Sequence, residues 1–310
     1  DLVIDNRSDS TDRFYTYGCE DDNVRVGNKV RVPFARGNRE RDAYVFRVFD
    51  EPEEEIKNLK YVRSLCNDFS LSEEAVETCK WMKRRYLCRY IDGVRVFAPA
   101  GKPAKSGKKR VPYEGEEGEH QPVMQLTGEQ KSALETIHET IAAKRHEIFL
   151  LHGVTGSGKT EVYMRSIEKV LEQGKTAIML VPEISLTKQI IDRFIGRFGF
   201  DEIAVLHSKL SLGERYDEWK RIEEGKVKIV IGARSAVFAP LENIGIIIMD
   251  EEHESTYKSD MTPKYETVEV AIMRSKAYGG IVLTGSATPS VVSSYRCEEG
   301  IYKKLTLKER

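Results

Sequence analysis

The chain has 310 residues, which suggests two domains, and 40% hydrophobic with 32% charged residues allows a sizeable core under a highly charged surface. A formal net charge of −1 says nothing by itself about nucleic acid, so the local distribution of charge matters more. No apolar run reaches membrane-spanning length and no signal peptide opens the chain. Cys19, Cys66, Cys79, Cys88 and Cys297 form no C-x-x-C pair, which argues against structural zinc and suits a reducing cytoplasm. The first residue is Asp1 rather than Met, so the sequence reads as a fragment.

In chain order, the first hundred residues carry basic patches. Residues 25–47 hold seven Arg or Lys against Glu40 and Asp42, and "KWMKRRYLCR" (80–89) holds five basic residues and two aromatics. Such runs suit a DNA-binding face or, equally, a solvated one. "VRVGNKVRV" (24–32) alternates around Gly-Asn and predicts a hairpin, "DAYVFRVFD" (42–50) a strand, and "EPEEE" (51–55) an acidic loop. Residues 72–90 read as one helix with Ser72 as its N-cap. The Gly-, Pro- and charge-rich stretch 99–122 reads as a linker between domains 1–98 and 123–310.

Beyond the linker the texture changes. Short aliphatic runs at 147–152, 176–182, 203–207, 228–233, 244–250 and 280–285 alternate with helical patterns at 160–173, 184–197, 212–224 and 267–277. Continuous apolar strands between helices predict an α/β domain with a parallel sheet flanked by helices. Ligands bind such sheets beyond the carboxyl ends of the strands.

Chemistry concentrates there. "GVTGSGKT" (153–160) follows a strand, opens a helix and fits G-x-x-x-x-G-K-[ST]. Gly153, Thr155, Gly156, Ser157 and Gly158 would wrap backbone N–H groups around the phosphates of ATP. Lys159 would reach the β- and γ-phosphates, and Thr160 would ligate Mg²⁺. "IIIMDEEHESTYK" (246–258) ends a buried strand in three carboxylates and a histidine. Asp250 would sit beside the P-loop and hold Mg²⁺ through water, with Glu251 accepting a proton from the attacking water.

D-E-x-H resembles the hydrolysis motif of superfamily 2 helicases, and neighbouring segments agree. That resemblance implies adenine reading by Gln130 of "LTGEQKSAL", and a grip on one DNA strand by Pro182 and Glu183 of "VPEISLT" and by Arg234 and Ser235 of "GARSAVFAP". Ser286, Ala287 and Thr288 of "GSATPS" would link nucleotide state to DNA, with His253 hydrogen-bonding near Ser286 or Thr288. Together with "VLHSKLSLGER", these stretches resemble the bacterial primosomal, replication-restart (PriA) helicase family over residues 123–310. The implied fold is a RecA-like P-loop lobe preceded by a small β-rich DNA-binding domain. Residues 1–98 resemble the family's domain for the 3′ end of a nascent DNA strand, with Tyr15, Thr16, Tyr17, Ala35 and Lys60 at the pocket. Ala35 stands where the family pattern has Gly. "ESTYKSDMTPKYET" (254–267) resembles the family's DNA-sensing aromatic loop, with Tyr257 and Lys258 facing DNA and Tyr265 as its second aromatic.

The implied activity is ATP-dependent 3′→5′ unwinding at stalled replication forks. Forked DNA and single-stranded DNA with a 3′ end would be bound, and primosome proteins and single-strand binding protein would be partners. ATP and Mg²⁺ are the implied cofactors, with no zinc in this chain. The family's second lobe, zinc cluster and winged-helix domain are not evident, so the chain reads as an N-terminal portion that binds ATP and DNA but unwinds little alone. An end-binding scaffold with a nucleotide switch, and another superfamily 2 translocase, are the alternative readings.

Overall fold

A computed structural model describes residues 1–52, 56–99, 101, 111–115, 118 and 125–309. Most of the stretch read as a linker, part of the acidic loop, and Arg310 lie outside the described residues. The chain divides into two compact units, Asp1–Ala98 with Asp260–Tyr265, and Pro99–Ser259 with Glu266–Arg310.

The first unit is built on an antiparallel sheet of β1 (Leu2–Ile4), β2 (Asn28–Phe34), β3 (Arg39–Val45) and β4 (Ser64–Ser70), in the order β1-β3-β2-β4. Val30, Val32, Ala43 and Val45 form its buried core with Leu2 and Ile4. The hairpin lies elsewhere than the Gly-Asn pattern predicts. β2 and β3 meet across residues 35–38, where Ala35 (φ 58°) and Asn38 (φ 46°) supply the left-handed backbone. Gly27 instead serves a close approach. Its φ is 88°, and a Cβ there would lie 1.9 Å from the Leu71 carbonyl oxygen. The predicted strand 42–50 ends at Val45, whose carbonyl accepts the Gly27 N–H at 2.8 Å.

The helix read as continuous over 72–90 is two helices, α1 (Glu73–Tyr86) and α2 (Tyr90–Phe97). Ser72 Oγ caps α1, accepting the Ala75 N–H at 3.1 Å. α1 ends at Leu87, which is left-handed (φ 51°). Asp12 explains the break: its carboxylate accepts the Tyr90 N–H at the start of α2 and pairs with Lys83 near the end of α1.

The second unit is a seven-stranded parallel sheet covered by helices, the RecA-like arrangement. Its elements are α3 (Gly128–Ala142), β5 (Ile148–Gly153), α4 (Lys159–Glu172), β6 (Thr176–Leu180), α5 (Lys188–Phe198), β7 (Ile203–Leu206), α6 (Leu212–Glu223), β8 (Ile229–Gly232), β9 (Ile244–Met249), α7 (Thr267–Ala277), β10 (Ile281–Ser286), α8 (Val291–Glu298) and β11 (Lys303–Leu307). The strand order is β11-β5-β10-β9-β6-β8-β7. β9 and β10 are buried along their whole length, as strands covered on both faces must be. β10 separates β5 from β9, so Asp250 is one strand further from the P-loop strand than the sequence predicts, and the S-A-T segment emerges between them.

Candidate functional site

In the second unit, three strand ends converge. β5 runs into the P-loop, where Gly156 (φ 85°) and Gly158 (φ 80°) take left-handed backbone and Lys159 opens α4. The Lys159 Nζ is buried and donates to the Gly153 carbonyl at 2.9 Å. It also lies 4.0 Å from Glu251 Oε1. Ser157 Oγ is buried with no hydrogen-bond partner. A Cβ on Gly153 would lie 2.5 Å from that hydroxyl. An orphaned donor inside a glycine-shaped cradle fits a phosphate, whose oxygens would satisfy it. Thr155 is exposed and Thr160 half-buried in the first turn of α4.

Gln130 does not stand free to read a base. Its Oε1 accepts the Thr127 N–H at 3.0 Å, and its Nε2 donates to the Ser157 carbonyl at 2.9 Å. Thr127 Oγ1 accepts the Gln130 N–H in return, a capping box that starts α3. Gln130 therefore caps α3 and buttresses the P-loop from it.

β9 delivers Asp250. Burial pushes its carboxyl above the ordinary range, while a hydrogen bond from Tyr163 opposes that shift. The Tyr163 hydroxyl donates to Asp250 Oδ1 at 2.9 Å. Glu251 adopts left-handed backbone (φ 47°), unusual for a side chain of its size and a mark of a constrained site. His253 Nδ1 is 2.8 Å from Ser286 Oγ, and its Nε2 is 3.4 Å from Thr288 Oγ1. Ser286 Oγ also accepts the Thr288 N–H at 3.0 Å, so the histidine and the turn around Ala287 share one hydroxyl.

Sequence reading missed Glu252. Its N–H donates to the Gly285 carbonyl at 3.0 Å. Its carboxylate accepts the Ser290 N–H at 2.8 Å and the hydroxyls of Ser290 (3.2 Å) and Ser293 (2.9 Å), at the start of α8. The third acid of D-E-E-H is thus tied to the far side of the S-A-T segment.

Tyr257 does not face outward. It is buried, and its hydroxyl donates to the Asp250 carbonyl at 2.8 Å. Burial foremost, then the carboxylates of Asp250 and Glu251, raises its ionisation far above the ordinary range. Tyr265 is buried as well. Pro182 is buried, and its carbonyl accepts the N–H groups of Ser185 and Leu186. Glu183 accepts from the Ser208 hydroxyl. Arg234 donates to the Lys258 carbonyl, Ser235 is exposed, and the Lys258 ammonium lies 3.3 Å from Glu266. Among the described residues no cluster of three or more His, Cys, Asp or Glu could hold a metal ion.

In the first unit, Tyr15, Thr16, Tyr17, Ala35 and Lys60 line one cavity of about 370 Å³, joined by Arg13 and Asn58. The Lys60 ammonium donates to the Ala35 carbonyl at 2.8 Å across the rim. Ala35 is left-handed, which is the backbone state that favours glycine there. Tyr17 donates to the Pro33 carbonyl at 3.0 Å, and burial, then Tyr15, raises its ionisation. Thr16 Oγ1 donates to Asp1 Oδ1 at 2.8 Å. The Arg13 guanidinium lies 5.2 Å from the centre of the Tyr15 ring.

Comparison with known proteins places both units. Residues 127–295 match the DEAD/DEAH box helicase family, and residues 2–99 match the 3′ DNA-binding domain (3′BD) of PriA. "Replication restart protein PriA" of Bacillus subtilis (strain 168) is 54% identical over 201 residues, covering 65% of this chain and 25% of that protein. The protein of the same name from Treponema pallidum (strain Nichols) is 35% identical over 315 residues, covering 100% of this chain and 47% of that protein. Among solved structures, RecG bound to a three-way DNA junction is 22% identical with a TM-score of 0.47, covering 77% of this chain and 29% of that one. The chain is a member of the DEAD/DEAH box helicases, is similar in both units to PriA replication restart proteins, and spans half or less of these two relatives.

Proposed function

We propose that this chain carries the 3′-end-binding and ATP-binding parts of an ATP-dependent 3′→5′ DNA helicase that restarts replication at stalled forks. The observation that carries the motor half is the convergence at the ends of β5, β9 and β10, where Lys159 faces Glu251 and His253 meets Ser286. In this reading the P-loop amides, Ser157 and Lys159 bind the ATP phosphates. Lys159 exchanges the Gly153 carbonyl for phosphate oxygen. Thr160 and Asp250 hold Mg²⁺, which when bound neutralises charge on the β- and γ-phosphates. Glu251 takes the proton of the attacking water. His253, through Ser286 and Thr288, passes nucleotide state to the DNA-binding side. Exposed Ser235, with Arg234, Glu183 and Lys258, belongs to that side.

The aromatic cavity with Lys60 at its rim supports the reading of the first unit. Tyr15 and Tyr17 offer faces to a terminal base, and Lys60 and Arg13 offer charge to its phosphate. Forked DNA is the substrate, and primosome proteins and single-strand binding protein are the partners. On its own this chain binds ATP and forks and unwinds little.

The test is fork binding by fluorescence anisotropy at fixed salt. Forks with a free 3′-OH at the junction are compared with forks blocked by a 3′-phosphate, for this chain and for Tyr17→Ala. Tighter binding of the free end, erased by the substitution, supports the reading. Equal binding of both forks by the unaltered chain refutes it and leaves only phosphate contacts.

A further inference from the structure

Tyr163 lies on α4, the helix that the P-loop opens, and is fully buried. Its hydroxyl reaches Asp250 Oδ1 at 2.9 Å, across the strand that separates β5 from β9. That strand is glycine where the hydroxyl passes. A Cβ on Gly285 would lie 1.6 Å from the hydroxyl oxygen and 2.8 Å from Cζ. The Asp250 backbone is held separately: its N–H donates to the Leu180 carbonyl at 2.9 Å, and its carbonyl accepts the Tyr257 hydroxyl at 2.8 Å. The Tyr163 hydroxyl thus bonds the carboxylate itself, which also has a backbone hydrogen bond from Glu251, and it joins the P-loop helix to the acidic motif past the S-A-T strand.

We propose that Tyr163 is a positioning residue for Asp250, holding its carboxylate in the orientation that takes Mg²⁺, and that Gly285 is glycine to let that hydroxyl through. The inference rests on the ATP–Mg²⁺ reading above. A lost hydrogen bond to a charged group corresponds to about a tenfold effect or more. The effect belongs to the Mg²⁺-dependent part of nucleotide affinity, because Tyr163 meets the metal ligand and not the P-loop amides.

The experiment measures binding of a fluorescent methylanthraniloyl-ATP to the 310-residue chain, once with Mg²⁺ and once with EDTA. Tyr163→Phe should leave the EDTA affinity within about twofold and cut the gain from Mg²⁺ by about tenfold. Asp250→Asn should cut it as well, with no further loss in the double variant. A full Mg²⁺ gain in folded Tyr163→Phe overturns the proposal and leaves the tyrosine as core filling. Absence of nucleotide binding by the unaltered chain in both buffers instead overturns the nucleotide-site reading, and this inference with it. Should Tyr163→Phe fail to fold, Tyr163→Phe/Asp250→Asn decides. Folding like Asp250→Asn alone shows that the damage was a stranded carboxylate, as proposed. Failure of the pair as well makes the hydroxyl a packing element and overturns the proposal.

Discussion

Arg274 is 1% exposed, and its guanidinium donates to the carbonyls of Val237 (2.6 Å), Ala239 (3.0 Å) and Leu241 (3.2 Å). These carbonyls lie in the turn that leads from the "GARSAVFAP" segment into β9, where no strand ladder serves them. Arg274→Met keeps an unbranched apolar stem reaching about as far as Nε and removes the donors. Ala239 keeps one partner, the Leu241 N–H at 2.7 Å, so two carbonyls lose the donor identified for them and a third is weakened. At about 1–3 kcal/mol for each stranded buried acceptor, the loss is about 3–5 kcal/mol. Relief from burying a guanidinium offsets part of that, leaving about 3 kcal/mol. Urea unfolding followed by circular dichroism should show the transition of the second unit shifted by that amount. Hydrogen exchange should rise first in residues 237–241. A loss below about 1 kcal/mol would mean that the turn satisfies its own carbonyls, and the guanidinium would not be its strut.

Three further outcomes follow from named geometry. Ala35→Gly should stabilise the first unit by about 0.5–1 kcal/mol in thermal unfolding, the relief of left-handed backbone exceeding the added freedom of the unfolded chain; a lower melting temperature would refute the strain. Gln130→Ala, which removes the support under Ser157, should cost about 2 kcal/mol and weaken ATP-analogue binding, whereas a Gln130 that acts only on adenine would leave stability unchanged. Burial lowers the ionisation of His138 in the folded chain below its ordinary value, against a backbone hydrogen bond at Arg165 that raises it. The unfolded chain therefore binds the proton more readily, and stability should fall as pH drops below about 6.5. His207 adds to the same slope, again chiefly through burial. His138→Gln should flatten the acid limb between pH 7 and 5, and an unchanged slope would exclude His138 as its source.

The interior of the parallel sheet was legible because its strands are buried on both faces. Ile244–Met249 and Ile281–Ser286 read as aliphatic runs, and their ends were found to within a residue or two. Of the edge strands, the buried Ile203–Leu206 was legible, but two polar ones were not. Lys303–Leu307 pairs only with β5 and keeps both lysines exposed, so its pattern is that of a surface loop. Ser64–Ser70 is equally polar at the margin of the first sheet. The break at Leu87 carries no Gly or Pro and depends on Asp12, far away in sequence. The same distance hid the work of Glu252, whose partners lie 38 and 41 residues on. His253 was readable, because its partners are a second short motif. Tyr257 was placed facing DNA by the resemblance of its loop to a DNA-sensing one, but its ring is buried and its hydroxyl satisfies the Asp250 carbonyl.

The distribution of the five thiols decides how the cavity around Tyr15, Tyr17 and Lys60 can be watched. Cys79 and Cys88 are buried, and burial pushes the Cys88 thiol up to about 11. Burial also raises Cys66 and Cys297, so their thiolates are scarce near neutrality. Cys19 is exposed, and it follows Gly18, whose N–H donates to the Lys60 carbonyl at 2.8 Å. A maleimide dye at limiting stoichiometry will therefore couple first to Cys19, two residues from Tyr17. The chain carries its own attachment point for an optical reporter of whatever enters that cavity, and no cysteine need be engineered.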